Sequence, residues 1–375
     1  MLIPVVLAAA LMNAAMVAAS AVSTILIADA LSPGVAGLPN AAGVLGTAAG
    51  AMAVGRWTAR LGRAQALRMG YGVGVAGGAL TVLTAVGAHL ALLFIGMFLL
   101  GAGNAASLLS RYAAADAVPP ARRARAMSTV VWASTVGAAG GPFFMAPSQS
   151  FAADFGLPAT AGPFLLALAA VFAALVASTY IRVAAHATDV PVSRDHSAVS
   201  RRTPVALAAC VMVVGHLVMV ALMTSVPVHA HNHGDGLGVL GLMLSAHTLG
   251  MFALSPLTGW CIDRFGSRPV LVAGLGLILV SGVLIVHAGP VFTPALFLLG
   301  YAWNLCYLGG SSQLSAHLES KVESWIWTVA AVATAASTWL FSLGGFRVLT
   351  LVSAVLAVPL LVLVARRPAL EVVRW

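Results

Sequence analysis

The chain has 375 residues, of which 61% are hydrophobic and only 8% charged, with a formal net charge of +9. A soluble domain carries roughly a quarter of its residues as Asp, Glu, Lys or Arg, so this composition excludes a water-soluble globular protein and places most of the chain where charge is too costly. The basic balance does not imply nucleic acid, because the cations sit in short clusters between apolar runs and form no continuous basic face interleaved with stacking aromatics.

A membrane-spanning helix needs about 20 mostly apolar residues, and on that criterion the sequence predicts twelve. The first half gives spans near 3–29, 36–55, 68–88, 90–112, 125–147 and 161–183. The first of these is too long for the apolar core of a signal peptide and has no basic stretch ahead of it. A polar, irregular stretch follows, with Pro191, Ser193, Arg194, Asp195, Arg201 and Arg202, and reads as a linker. The second half gives spans near 204–226, 238–260, 269–288, 291–313, 324–343 and 347–365. The expected fold class is an all-α membrane protein of twelve transmembrane helices in two six-helix bundles, 1–183 and 204–375, joined by a linker over 184–203.

Orientation follows from the cations. Arg56, Arg60, Arg63, Arg68, Arg122, Arg123, Arg125, Arg182, Arg194, Arg201, Arg202, Arg264, Arg268, Lys321, Arg366, Arg367 and Arg374 fall on one side, and only Arg347 on the other. Both termini and the linker are therefore expected in the cytoplasm. Lys321 is the one lysine in an Ala-, Gly- and Val-heavy chain, a bias that accompanies GC-rich coding DNA and points to a bacterial source. Cys210, Cys261 and Cys306 are odd in number and irregular in spacing, which makes neither a disulfide framework nor a zinc site. No GxSxG, P-loop or HExxH motif occurs, so the chain is not expected to be an enzyme.

Two stretches 204 residues apart repeat one pattern: Gly55-Arg56-Trp57-Thr58-Ala59-Arg60-Leu61-Gly62-Arg63 lines up with Gly259-Trp260-Cys261-Ile262-Asp263-Arg264-Phe265-Gly266-Ser267. A glycine-flanked tight turn with a basic residue suits a hairpin between two spans, and two copies in a six-plus-six chain fit a carrier built from parallel halves. The turn resembles the cytoplasmic loop signature of the major facilitator superfamily. That resemblance implies a major facilitator fold, with Gly259, Asp263, Arg264 and Gly266 as a conformational loop. The first copy departs from the family pattern, with Ala59 where Asp is usual. Arg111-Tyr112-Ala113-Ala114-Ala115-Asp116 and Gly137-Ala138-Ala139-Gly140-Gly141-Pro142 also resemble the family, the small residues of the second stretch allowing close helix packing.

Spans seven and eight carry a sharper likeness. Met219-Val220-Ala221-Leu222-Met223 is an MxxxM and His247-Thr248-Leu249-Gly250-Met251 an HxxxM, a pair that resembles the CcoA-type copper importers of bacteria. The resemblance implies that Met219, Met223, His247 and Met251 carry copper across the bacterial inner membrane for cytochrome oxidase assembly. It implies copper as cargo with no cofactor, membrane lipid as surroundings, and a cytoplasmic or periplasmic copper chaperone as a candidate partner.

Helical spacing alone leads to the same two spans. Met212, His216, Met219 and Met223 step by four, three and four along one stripe, and Met243, His247 and Met251 step by four and four along another. Two adjacent helices with these stripes are expected to face each other. Thioethers select Cu(I), and imidazole serves either copper oxidation state. Against ligation stands packing, the ordinary role of any single methionine, and for the histidines an interhelical hydrogen bond. His229, His231 and His233 alternate in the loop between these spans and form either a metal-capturing tract or a polar turn. Met12 and Met16 make another MxxxM in span one, for which packing is the commoner account. Asn104, Trp303 and Asn304 are expected to line the cavity, with no chemistry assigned.

All ten acids fall in loops or at predicted helix ends, so the mid-span carboxylate used by proton-driven exporters is missing. His216 and His247 are the only mid-membrane groups expected to titrate near neutral pH. The sequence reading is a secondary copper importer working by alternating access. Its rivals are a proton-coupled exporter of small organic compounds or drugs, and a membrane copper sensor or assembly factor that moves nothing.

Overall fold

The computed structural model describes residues 2–31, 37–140, 144–181, 198–226, 237–287 and 291–366. All regular structure among them is helical: α1 Leu2–Ala30, α2 Leu38–Leu61, α3 Arg63–Ala85, α4 Ala91–Asp116, α5 Arg123–Gly140, α6 Met145–Asp154 and α7 Ala161–Thr179 precede the linker. After it come α8 Ala198–Thr224, α9 Leu237–Phe252, α10 Ser255–Phe265, α11 Ser267–His287, α12 Phe292–Ser311 and α13 Ala316–Arg366. Seven helical segments among the described residues are by themselves long and apolar enough to cross a membrane. The others are less apolar, short or interrupted: α2 and α12 are single helices of 24 and 20 residues, and the rest are shorter pieces or arms of longer helices. Span eight, expected as one helix, is α9 plus α10. Spans eleven and twelve are the two arms of α13, which breaks at Gly344 and at Gly345, where φ is +62°. Only glycine enters that region without steric cost, and the turn falls where the two spans were expected to part. Most of the expected linker lies outside the described residues.

The repeated turn is repeated in three dimensions. Gly62 ends α2 and Gly266 ends α10, each with φ +82°. Each donates its N–H back to the helix it closes, Gly62 to the Thr58 carbonyl at 3.0 Å and Gly266 to the Ile262 carbonyl at 2.9 Å. A second correspondence involves residues that do not align by sequence. Arg68, near the start of α3, donates to the Ser178 and Thr179 carbonyls that end α7. Arg268, at the start of α11, donates to the Val364 and Ala365 carbonyls near the end of α13. A helix C-terminus leaves carbonyls without intrahelical donors, and a guanidinium answers both that need and the negative end of the dipole.

The described chain forms two compact units, Met1–Pro191 with Ala316–Ala331, and Val192–Ser315 with Val332–Trp375. In the first, α4 packs against both α2 and α3 at backbone distance. A methyl added at Gly101 would overlap the Gly43 carbonyl oxygen, and one at Gly103 would meet the Gly74 backbone. Gly137, from the glycine-rich stretch of span five, sits directly on the Ala10 carbonyl of α1. Small residues thus let helices approach where no water-driven force separates protein from lipid tails.

The first turns of α13 join this unit through charge. Arg111 Nη2 lies 2.7 Å from Glu323 Oε2, and each side chain is 1% exposed. Trp327 Nε1 donates to the other carboxylate oxygen at 3.2 Å. Beside them Arg63 bridges Asp116 at 2.9 Å and Glu319 at 2.7 Å, while Arg123 reaches Asp116 at 3.5 Å. Burial pushes the Glu319 carboxyl up from its ordinary range, and the Arg63 guanidinium opposes that shift. Acids at helix ends are thus not all in water: Glu319 and Glu323 are buried. Removing one member of a buried pair strands the other charge, at a cost of about 3–5 kcal/mol. Arg111→Leu and Glu323→Gln are each expected to lose about that much in thermal unfolding of the purified protein. The double variant should lose clearly less than their sum; additive losses would mean the two groups are not coupled.

Candidate functional site

Within the second unit α12 packs against α8, α9 and α11, and no comparable packing joins α8 to α9 among the described residues. The two stripes were expected on facing neighbours. Instead, each helix meets α12, because glycines permit contact there. A methyl on Gly250 of α9 would overlap the Phe297 carbonyl oxygen of α12, and one on Gly300 would overlap the His247 carbonyl oxygen. On the other side a methyl on Gly310 would run into the Met212 side chain, and Gly215 lies against Cys306. Met212 is therefore a packing residue over a glycine.

These contacts set a register. Along α12, His247 meets Leu296 and Met251 meets Asn304, so α9 runs parallel to it. Met212 meets Gly310 and His216 meets Trp303, so α8 runs antiparallel. Continuing by the helical rise of about 1.5 Å per residue, Met219 falls level with Gly300 and Met223 level with Leu296. Met219, Met223, His247 and Met251 all fall beside the stretch of α12 from Leu296 to Asn304. Met219 and Met243 are buried, and Met223 and Met251 are half-buried.

The two histidines are held differently. His216 Nδ1 accepts from Trp303 Nε1 at 2.8 Å, so that lone pair is occupied. Trp303 itself stacks on Tyr307 at 4.6 Å and meets Phe252 of α9 edge-on at 5.9 Å. This aromatic row links the level of His216 to that of Met251. His247 Nδ1 lies 3.0 Å from the Leu296 carbonyl oxygen, which can only accept. In the neutral ring the proton is then on Nδ1, and the lone pair is on Nε2. That Nε2 is buried and has no hydrogen-bond partner among the described residues, on a side chain 3% exposed. Metal-ligating histidines are oriented in this way, by donating the other ring N–H to a carbonyl.

Directly after Met251 the helix is interrupted at 253–254, and Pro256 in the first turn of α10 supplies no N–H. Asn304 spans the interruption. Its Nδ2 donates to the Met251 carbonyl and to Ser255 Oγ, both at 2.7 Å, and its Oδ1 accepts from Thr258 Oγ1 at 2.7 Å. Trp303 and Asn304 were expected to line the cavity, with no chemistry assigned; they are buried and hydrogen-bonded between helices. Pro256 inside an apolar run was the available signal for the break.

Other expected residues fall elsewhere. Met12 is fully buried on α1, with its terminal methyl beside Gly74 in the first unit, so it packs; Met16 is half-buried on the same helix. His229, His231 and His233 lie outside the described residues. Gly259 is buried in α10, Asp263 is half-buried, and exposed Arg264 lies over the Phe265 ring at 5.9 Å. Cys210 is exposed, Cys261 half-buried and Cys306 buried. Among the described residues no group of three His, Cys, Asp or Glu side chains is placed to hold a metal.

Residues 5–323 match the family model described as Major Facilitator Superfamily. The chain is 34% identical to the uncharacterized MFS-type transporter YdeG of Bacillus subtilis, over 74% of this chain and 68% of that protein. It is 31% identical to the riboflavin transporter RfnT of Brucella anthropi, over 76% of this chain and 72% of that protein. Among solved structures, the facilitator transporter FucP in its outward conformation superposes with a TM-score of 0.76 at 16% identity, covering 98% of this chain and 99% of that one.

The α9–α12 contact predicts a signed contrast between two glycines. Gly250→Ala forces α9 off α12 and is expected to cost about 1–3 kcal/mol. Gly276→Ala meets nothing within 4 Å and should be neutral or stabilise by up to about 1 kcal/mol. Melting midpoints of the two variants, measured side by side, test the contact; equal shifts would refute it.

Proposed function

This chain belongs to the major facilitator superfamily and has its twelve-helix fold, and from that premise we propose that the secondary transporter it encodes imports copper by alternating access. One observation carries the reading: His247 has its Nδ1 tied to the Leu296 carbonyl and its Nε2 buried without a partner. A buried acceptor left unanswered costs about 1–3 kcal/mol, and a transient cation would answer it. Met251 follows four residues later, and the register brings Met219 and Met223 to the same level. Thioethers with one neutral imidazole favour Cu(I) over harder cations. A neutral ligand set also lets the ion leave, since no carboxylate holds it.

The same reading assigns the protein to the bacterial inner membrane with cytoplasmic termini, supplying copper to oxidase assembly with a copper chaperone as partner. Riboflavin, the cargo in the name of the Brucella anthropi relative, is the second reading. It calls for open aromatic faces, whereas Trp303 is 6% exposed and already stacked on Tyr307.

Whole-cell uptake separates the two. Met219→Ala, Met223→Ala, His247→Ala and Met251→Ala, each present in the membrane at the normal amount, are expected to reduce copper accumulation at least about tenfold. Normal copper uptake in all four removes copper as the cargo. Saturable riboflavin uptake by the same cells would then take its place.

A further inference from the structure

Span eight is built in two pieces, and its continuity is supplied from another helix. α9 stops at Phe252 and α10 starts at Ser255. Pro256 has no N–H to offer the Phe252 carbonyl one turn back, and its ring crowds that turn. A proline break of this kind removes a backbone hydrogen bond across the interruption. Here a single amide, Asn304 on α12, holds both sides. Its two N–H groups go to Met251, at the end of α9, and to Ser255, at the start of α10. Its oxygen takes the Thr258 hydroxyl, one turn further along α10. Asn304 and both hydroxyl partners are fully buried.

We propose that Asn304 is the positioning residue of the transport site, clasping α9 to α10 across the break and thereby fixing where Met251 stands relative to His247. The proposal rests on the reading of those two residues as ligands. The carbonyl that Asn304 holds belongs to Met251 itself, so losing the amide frees the backbone from which the thioether projects. His247 is anchored separately, through Leu296, and keeps its place. Loss of the clasp therefore spoils the distance between the ligands and leaves each chemically intact.

Asn304→Leu keeps the volume and removes both donors and the acceptor. Two readouts are taken on the full-length protein: backbone hydrogen exchange over residues 249–258, and the concentration dependence of copper uptake. Exchange is expected to quicken at least about tenfold. The half-saturating copper concentration should rise about tenfold, with the maximal rate changed less. Ser255→Ala and Thr258→Val each remove one contact. They should shift both readouts in the same direction by less, and they decide the matter if Asn304→Leu does not accumulate. Unchanged exchange in every variant overturns the clasp whatever the cargo. Quickened exchange with an unchanged half-saturating concentration overturns its role in positioning. If the wild-type protein moves no copper, the copper reading fails alone, and quickened exchange then still supports the clasp.

Discussion

The backbone contact between α9 and α12 at Gly250 and Gly300 sets the geometry of the second unit. With no side chain on either residue, the two helices approach until carbonyl oxygens of one sit where a methyl of the other would be. That closeness brings the His247 ring within reach of Leu296 and the Asn304 amide within reach of Met251. A larger residue at either position would separate the helices, and both hydrogen bonds would go with the contact. The first unit uses the same device around α4, where Gly43 and Gly101 meet. The same unit holds a buried ion pair, Arg111 with Glu323. The packing rule is shared by the halves, and the chemistry placed on it is not.

The twelve spans were legible because each is a run of apolar residues with punctuation at its ends. The paired turns were legible because glycine is the residue that enters positive φ freely, and Gly62 and Gly266 share one value of it. Less could be read where partners come from elsewhere in the chain. Helical spacing placed the ligand candidates on two stripes but could not reveal that each helix packs against α12, since long-range packing leaves no period in a sequence. The interruption of span eight was hidden by its hydropathy, although Pro256 lay in plain view. Glu323 read as a helix-end acid; the arginine that makes its burial tolerable lies 212 residues away. Met12, for which packing was the commoner account, lies with its terminal methyl beside Gly74.

His216 and His247 are alike in helical spacing, each mid-span and each flanked by methionines, although the HxxxM resemblance covers His247 alone. Their neighbours divide the work. The Trp303 indole, which can only donate, takes a lone pair of His216 and makes that ring part of an aromatic row. The Leu296 carbonyl, which can only accept, takes a proton of His247 and leaves a lone pair facing the protein interior. The donor or acceptor character of one α12 group thus decides whether the facing ring nitrogen accepts or donates, the difference on which the proposed site rests.

The arginines that read as topology signals have a further consequence for how the protein is made. Arg68 clasps carbonyls 110 and 111 residues further along the chain, and Arg268 clasps carbonyls 96 and 97 residues further. Neither clasp can close until the sixth helix of its half has left the ribosome. Each clasp therefore ties the third helix of its half to a segment made much later. A chain truncated ahead of residue 178, or ahead of residue 364, would lack the carbonyls that its third helix clasps.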